Sequence, residues 1–600
     1  MQKAAALPVT FAGTAGLFSP AQGSSCNLAV LFLNPWGLEE MCTRKFWRAL
    51  AESFGDAGIA SLRFDYPSTA NALDLAAPPV GLDAWKTSIE TAIETLKRHS
   101  GASRVVVLGH GLGATLATTM VLPRQDIEAI ALLAPVIRGR AYLRELMLWS
   151  KVVDDELGVS ETARNTSPGA IAGLSMPPAI AEDVRKLDIS GAELKEGQPV
   201  FIAVRPARDA DGRFADHLAA IGCDVTRTDF HGYDAFVSNP LTQKLPDEIG
   251  HRLLDWLRAL PAFRDKPAMP AVPIPVAQPL RGAAFEETPV RFGDDGRLHG
   301  TICRPLGQMS RATAVILSTA YDHQAGWGRS TVDLCRYLAS IGISSLRFDS
   351  AGVGDSPPVP GRRPQILYDD PQVGDVAAAG DFLDSLGFSE PALVVGRCSG
   401  AYLAFTCAVS DPRWKACISI NPYLFRWERE PTEEMLRATP RPLGDYAGKA
   451  VRIETFRRLL AGEVDVRHAL PNIMKGIARR VAKALAPALG PLLPQERWNR
   501  AVKADFRKLS ERNVAFALVY SERDQGLDNF RFHFGQDGAK LRAFPNVRLE
   551  ILQGADHNLT PRTARERMHE IVAECALSIA GCPPATKSPS NGNPLSRAIS

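Results

Sequence analysis

Residues 392–404, ALVVGRCSGAYLA, read as a β-branched strand, a glycine-flanked turn and the start of a helix, and the centre of the turn is Cys398. Residues 105–117, VVVLGHGLGATLA, have the same order of parts with Gly111 at the centre. A sharp strand-to-helix turn lifts one side chain clear of a sheet and points it into open space beside a helix N-terminus, and small neighbours let the backbone close that tightly. Two such stretches predict two sheets, one whose turn carries a nucleophile and one whose turn carries none.

The rest of the chain repeats around these turns. GIASLRFD at 58–65 matches GISSLRFD at 342–349, each after an amphipathic helix, and PVTF at 8–11 matches PVRF at 289–292. VRPARD ending at Asp209 matches VYSERD ending at Asp524, and HGYDAF matches QGADHN, which sets Ala235 against His557. The offset between copies is 284 at RFD, 287 at the turn, 315 at the acid and 322 at the histidine, so the extra length of the second copy lies mainly between turn and acid.

Short β-branched runs alternate with helical periodicity in both copies, which predicts an α/β fold with mostly parallel sheets flanked by helices. We divide the chain into a first unit at 1–261, a Pro-rich linker at 262–284 built on KPAMPAVPIPVAQP, and a second unit at 285–582. Residues from about 423 to 505 break the rhythm and are expected to form a helical cap; the aperiodic tail 583–600 is expected to be disordered.

Bulk properties remove several classes. The net charge of +3 and 22% charged residues give no electrostatic footprint for nucleic acid. The ten cysteines show no CxxC pair and no Cys/His cluster at metal-ligand spacing, so reduced thiols in a cytoplasmic setting are expected. No run reaches the roughly 18 unbroken apolar residues of a membrane span, and MQKAAALPVTFAGTAGLFSP does not read as a secretion signal.

Chemistry concentrates in the second unit. A thiolate is a strong nucleophile whose pKa falls beside a helix N-terminus or an imidazolium, which suits Cys398 to its turn. His557 is placed to take and return the thiol proton, and Asp524, at the end of a strand, to fix the imidazole's tautomer. Asp556 adjoins His557 in sequence, but Asp524 follows a strand and matches Asp209 in the first copy. The backbone N–H of Ser399 and a donor near Ala320 or Tyr321, in the loop after VILSTA, are the expected oxyanion hole. His323 in that loop is read as solvated, and Arg347 and Asp349 as braces. The first copy keeps Asp209 alone, with Gly111 for the nucleophile, Ala235 for the base and STANA for the GxGxS segment; His110 and His231 are what remains there for any other site.

The second unit resembles the α/β-hydrolase superfamily, in particular the serine aminopeptidase-like branch with RFDxxGxGxS, here Arg347, Phe348, Asp349, Gly352, Gly354 and Ser356. The nucleophile–acid–histidine order is the one that superfamily uses. NPWGLEEMCTRKFWRALAE and RFDYP in the first unit resemble bacterial members of that branch found with exopolysaccharide assembly genes. Cys398 stands where the branch has Ser, and in that respect is similar to dienelactone hydrolases and polyester synthases. The resemblance implies two tandem α/β-hydrolase domains, the first degenerate and the second an acyl ester or thioester hydrolase with a Cys398–His557–Asp524 triad that requires no cofactor or metal. An acyltransferase acting on a sugar or other alcohol, and a non-catalytic scaffold, are the alternatives. Lys475, Arg479, Arg480 and Lys483 share one side of a helix within the expected cap and form either a solvated face or a surface for anionic lipid, carrier or polysaccharide.

Overall fold

The computed structural model describes residues 6–75, 81–120, 124–238, 244–319, 322–361, 370–427 and 494–581. Two sheets organise them. The first contains β1 (Leu7–Phe11), β2 (Thr14–Ser19), β3 (Leu28–Leu33), β4 (Ala60–Phe64), β5 (Arg104–His110), β6 (Ile127–Leu133), β7 (Pro199–Val204) and β8 (Asp224–Asp229). Their spatial order is β1-β2-β4-β3-β5-β6-β7-β8, antiparallel from β1 to β4 and parallel beyond.

The second sheet contains β9 (Leu280–Arg281), β10 (Phe285–Phe292), β11 (Leu298–Pro305), β12 (Thr313–Leu317), β13 (Ser344–Phe348), β14 (Ala392–Arg397), β15 (Trp414–Ile420), β16 (Ala515–Ser521) and β17 (Val547–Leu552). From β10 its order, β10-β11-β13-β12-β14-β15-β16-β17, repeats the first sheet strand for strand, with β9 added at the edge. The fold is therefore α/β with two mostly parallel sheets, as the alternating periodicities predict.

Central strands read as unbroken apolar runs because both faces are covered. Val105 and Val107 of β5 join the core under the helix Asp83–Ser100, while Val106 and Leu108 join the opposite core under the helices Leu38–Asp56 and Asp247–Ala259. In the second unit Val394 faces the helices Asp370–Ser385 and Ser399–Ser410, and Leu393 and Val395 face Ser330–Ser340 and Arg562–Ile579.

Two expected boundaries shift. The linker runs extended over the first unit, with Met269 N donating to Gly101 O at 3.1 Å and Val272 N to Arg98 O at 3.0 Å, but its final residues Leu280 and Arg281 pair with β10. Residues 494–505, assigned above to the cap, belong to the helix Pro494–Glu511, whose Val502, Phe506 and Leu509 are fully buried on the sheet beside Phe405 and Phe516. Their i, i+4, i+7 spacing is that of a core-facing stripe. Most of the expected cap, including Lys475, Arg479, Arg480 and Lys483, and the tail from 583 lie outside the described residues.

The units meet through equivalent segments. Asp65 accepts from Asn71 N at 3.1 Å, and Asp349 accepts from Asp355 N at 2.9 Å. Arg63 crosses from the first unit to the Asp355 carboxylate, and Arg347 crosses from the second to Asn71 Oδ1 at 3.3 Å. Residues 63 and 347, 65 and 349, and 71 and 355 are each separated by the same 284 positions, and the equivalent strands β1 and β10 also touch. The junction is thus pseudo-two-fold, as in the self-complementary interface of a homodimer. The STANA segment supplies part of it: Arg329 donates to Ala70 O at 2.8 Å and to Ala72 O at 2.7 Å.

Arg347 is also the brace the sequence suggested. Its guanidinium lies 2.6 Å from Glu287, which Arg336 contacts at 2.7 Å, and both Arg347 and Glu287 are completely buried. Burial would push the Glu287 carboxyl up, but the two guanidiniums hold it below its ordinary value. Its stabilisation is therefore complete above the unfolded carboxylate pKa and is lost as pH falls through the lower folded value. Removing one partner leaves a buried charge short of compensation, so Arg347→Met is expected to lower the unfolding free energy by about 3–5 kcal/mol, read by urea denaturation near neutral pH.

Candidate active site

β14 ends at Arg397, the helix Ser399–Ser410 begins one residue after Cys398, and Cys398 makes the bend at φ 55°, ψ −118°. That region is sparsely populated by residues with a Cβ and costs on the order of 1–3 kcal/mol, which the surrounding packing must hold in place. Close approach explains the flanking glycines: a Cβ on Gly396 would lie 2.0 Å from Gly400 O. Gly111 makes the same bend at φ 54°, and Gly111 N and Cys398 N donate to the matching carbonyls of Leu133 and Ile420, each at 2.9 Å. The turn survives in both units, and only one carries a side chain at its apex.

Three distant segments bring groups to Cys398. His557, in the loop after β17, hydrogen-bonds the thiol, and its Nδ1 lies 2.5 Å from Asp524 Oδ2. Asp524, its side chain almost wholly buried, is anchored by Gly526 N donating to Oδ1 at 2.8 Å. The Ser399 backbone N–H points at the sulfur. Asp556 is instead taken up by its own loop, accepting from Asn558 N at 3.1 Å and Thr560 N at 2.6 Å. Ala320 and Tyr321 lie outside the described residues.

Burial alone would push the Cys398 thiol up. The charge on His557 and the hydrogen bond to it, with a smaller contribution from Arg397, instead pull it below its ordinary value. Burial pushes His557 down, but the sulfur and the Asp524 carboxylate raise it to about 10. Both shifts favour a thiolate beside an imidazolium. The other described cysteines go the opposite way, raised by burial.

Four further residues hold this arrangement, and none stood out in the sequence. Arg397 Nη2 donates to Asp322 Oδ2 at 2.7 Å, and its other arm reaches Asn558 Oδ1, next to His557. Asn421, just past β15, donates to His557 O at 2.9 Å and accepts from Ser521 N at 2.7 Å. Repeat alignment was the available signal, because the 287-residue offset pairs Arg397 with His110 and Asn421 with Ala134. In both pairs the second unit carries the group that reaches the histidine loop.

His323 is not solvated, contrary to the expectation for a loop histidine. It is buried, with Nε2 3.2 Å from Asp355 and 3.6 Å from Asp349. A histidine and two carboxylates this close could ligate a metal ion. Here Asp355 already faces the guanidiniums of Arg63 and Arg44, so the cluster is an ion-pair network with its positive charge supplied by protein.

The first unit presents a filled site. Glu39 Oε2 sits 2.9 Å from where a Gly111 Cβ would be, and Glu39 Oε1 accepts from Tyr233 Oη at 2.6 Å. His110 is fully buried with Nε2 3.1 Å from Tyr233 Oη, whereas His231 lies exposed beside Asp229, so the two histidines do not converge. Ala235 is exposed. Asp209, matched to Asp524 in sequence, is 89% exposed at a helix start; the buried carboxylate there is Asp211, 2.8 Å from Arg205.

A mostly parallel sheet whose strand–turn–helix elbow is followed along the chain by an acid and then a histidine is the α/β-hydrolase class of fold. No family model matches the chain. Part of it is similar to the esterase EstD of Thermotoga maritima, 28% identical over 195 residues that cover 30% of this chain and 46% of that protein. A 56-residue stretch, 8% of this chain, is 45% identical to the alpha/beta hydrolase xenA of Xenoacremonium sinensis and covers 13% of it. The matched stretches span less than half of either relative. Among solved structures, a cold-adapted esterase from an Arctic intertidal metagenomic library aligns with 50% of this chain and 97% of its own, at 13% identity and TM-score 0.28. Est1E from Butyrivibrio proteoclasticus aligns with 42% of this chain and 99% of its own, at 15% identity and TM-score 0.28.

Iodoacetamide near neutral pH is expected to label Cys398 ahead of the other described cysteines. His557→Ala removes the imidazolium and leaves burial to dominate, so labelling of Cys398 should slow by about tenfold or more, read by peptide mapping.

Proposed function

We propose that the chain is an acyl ester or thioester hydrolase whose reaction runs in the second unit through Cys398, His557 and Asp524, and that the first unit is a pseudo-enzyme. The observation that carries this reading is the thiol lying against an imidazole that a buried carboxylate holds from behind. The names of the two partial relatives, an esterase and an alpha/beta hydrolase, point the same way.

In the first half-reaction the thiolate attacks the carbonyl carbon, forming a C–S bond while the carbonyl π pair moves to oxygen. Ser399 N–H donates to that oxyanion. Collapse re-forms the C=O bond and expels the alkoxide or thiolate leaving group, which takes the proton of His557, and a thioester remains on Cys398. In the second, neutral His557 removes a proton from water as the oxygen attacks the thioester. Collapse then releases the acid and restores the thiolate–imidazolium pair. Asp524 keeps the imidazole in one tautomer throughout. The first unit has neither a side chain at its elbow nor a base at Ala235, so no covalent step can begin there.

The test is intact-mass detection of an acyl adduct on Cys398 with p-nitrophenyl esters and acyl thioesters of graded chain length. Cys398→Ala and His557→Ala are expected to cut turnover by about 10²–10⁴-fold or more, and Asp209→Asn to leave it unchanged. A panel without turnover, or turnover that survives Cys398→Ala, would overturn the reading. Product analysis with added alcohol separates hydrolysis from transfer.

A further inference from the structure

The first unit grips the second at two places along the segment that begins at Asp322. On one side it holds the loop after β13: Arg48 Nε donates to Gly354 O at 3.3 Å, Arg44 lies 3.6 Å from Asp355, and Arg63 pairs with the same carboxylate. Asp355 contacts His323, and Asp349 accepts from Gln324 N at 2.6 Å, so residues 323 and 324 are tied to groups that the first unit's cations hold. On the other side the Gly328 backbone packs on Ala172 and Gly173, Arg565 bridges Gly328 O and Gly173 O at 3.1 and 3.2 Å, and Arg329 reaches Ala70 O and Ala72 O. Immediately before the gripped residues, Asp322 holds Arg397, and Arg397 holds Asn558.

We propose that the first unit acts within the chain as a positioning element for the second unit's site: Arg44 and Arg63, through Asp355 and His323, fix residues 322–324 so that Asp322 keeps Arg397 braced against Asn558 beside the Cys398–His557 pair. Arg44 and Arg63 touch neither the sulfur nor the imidazole and act through the loops. Without them, two buried carboxylates share one imidazole and the backbone N–H groups of Gln324 and Asp355 but have lost both guanidiniums, and a buried charge so depleted of compensation must move toward water or take up a proton. Either response displaces His323 and the Asp322 beside it. The described groups facing this junction include Glu40, Asp65, Asp349, Asp355, His299, His323, Arg44, Arg48 and Arg63. The proposal rests on Cys398 being the reactive group, although its main readout needs no acyl substrate.

The experiment compares the full-length chain with Arg44→Met/Arg63→Met, Arg63→Lys and a control, Arg124→Met, whose ion pairs with Glu94 and Asp126 lie within the first unit. Iodoacetamide labelling of Cys398 is followed across pH by peptide mapping, kcat and KM are measured on a p-nitrophenyl ester, and melting curves report folding. Coupling through such a network changes rates by about 3- to 30-fold. Labelling near neutral pH and kcat should both fall by that factor in the double variant, with KM little changed and the labelling profile moved to higher pH. Arg63→Lys should restore most of the loss, and Arg124→Met should match the wild type. If the double variant melts before assay temperature, Arg44→Gln, which removes the 3.6 Å contact to Asp355 and the pairs with Asp65 and Glu40 but leaves Arg63 on Asp355, is expected to move labelling in the same direction. A folded double variant, or folded Arg44→Gln in its place, with the wild-type labelling profile overturns the proposal. So does a loss confined to KM. An ester panel without turnover would defeat the hydrolase reading alone, because labelling still reports the positioning.

Discussion

A sulfur on the floor of an apolar sheet stays protonated unless a cation stands against it, and the reactivity proposed for Cys398 depends on one imidazole meeting that condition. His557 reaches Cys398 from a loop 159 positions along the chain, and the Asp524 carboxylate behind it keeps the ring charged. The opposing pulls are visible in the thiols themselves: burial raises those without a partner cation, and Cys398 alone among the described cysteines is drawn down. The strained turn at φ 55° fits this requirement. It is the geometry that raises a side chain from the end of β14 to where an imidazole from the far side of the sheet can face it.

The first unit repeats the frame of the second without the groups that stand at Cys398 and His557. Strand order, the bend at Gly111 and the backbone bonds that pin it are intact, because they rest on sheet packing rather than on chemistry. The groups without a counterpart there are the apex side chain, an imidazole at Ala235 and, at Ala134, the amide that in the second unit donates to His557 O. Glu39 now stands at the vacant apex, its carboxylate bonded to Tyr233. What the unit retains in place of a site is a polar edge: Arg63, Asp65 and the STANA carbonyls, turned toward its neighbour.

Much of this was legible in the sequence because it is written locally. Alternating β-branched and amphipathic runs specified the sheets, the glycine spacing specified both turns, and internal repetition picked out Asp524 over the nearer Asp556. The misreadings share a physical cause. His323 looks solvated from its loop, and is buried because Asp349 and Asp355 converge on it, with two arginines of the other unit behind Asp355. Arg397, Asp322, Asn421 and Asn558 matter through partners 75 to 161 positions away, which no local pattern encodes. Asp209 fails the other way: its sequence context matches that of Asp524, yet without a histidine to meet it lies in solvent.

Where Arg63 and Arg347 cross, the junction is symmetric in position and unequal in charge. In a pair of identical units Arg63 and Arg347 would meet the same residue; here Arg63 meets Asp355 and Arg347 meets Asn71. Arg347 does not depend on that amide for neutralisation, because Glu287 from its own unit lies 2.6 Å away. The position equivalent to Glu287 in the first unit, by the offset that aligns PVRF with PVTF, is Ala6, so Arg63 has no such internal partner. Asp355 in turn lies between His323 and Asp349 and draws its guanidinium pairs from the first unit. A buried carboxylate gains far more from such a partner than a neutral amide does. At this contact the second unit therefore supplies the buried carboxylate and the first unit the cations, whereas at the more exposed Asp74 the roles reverse, with Arg329 and Arg336 of the second unit pairing a carboxylate of the first.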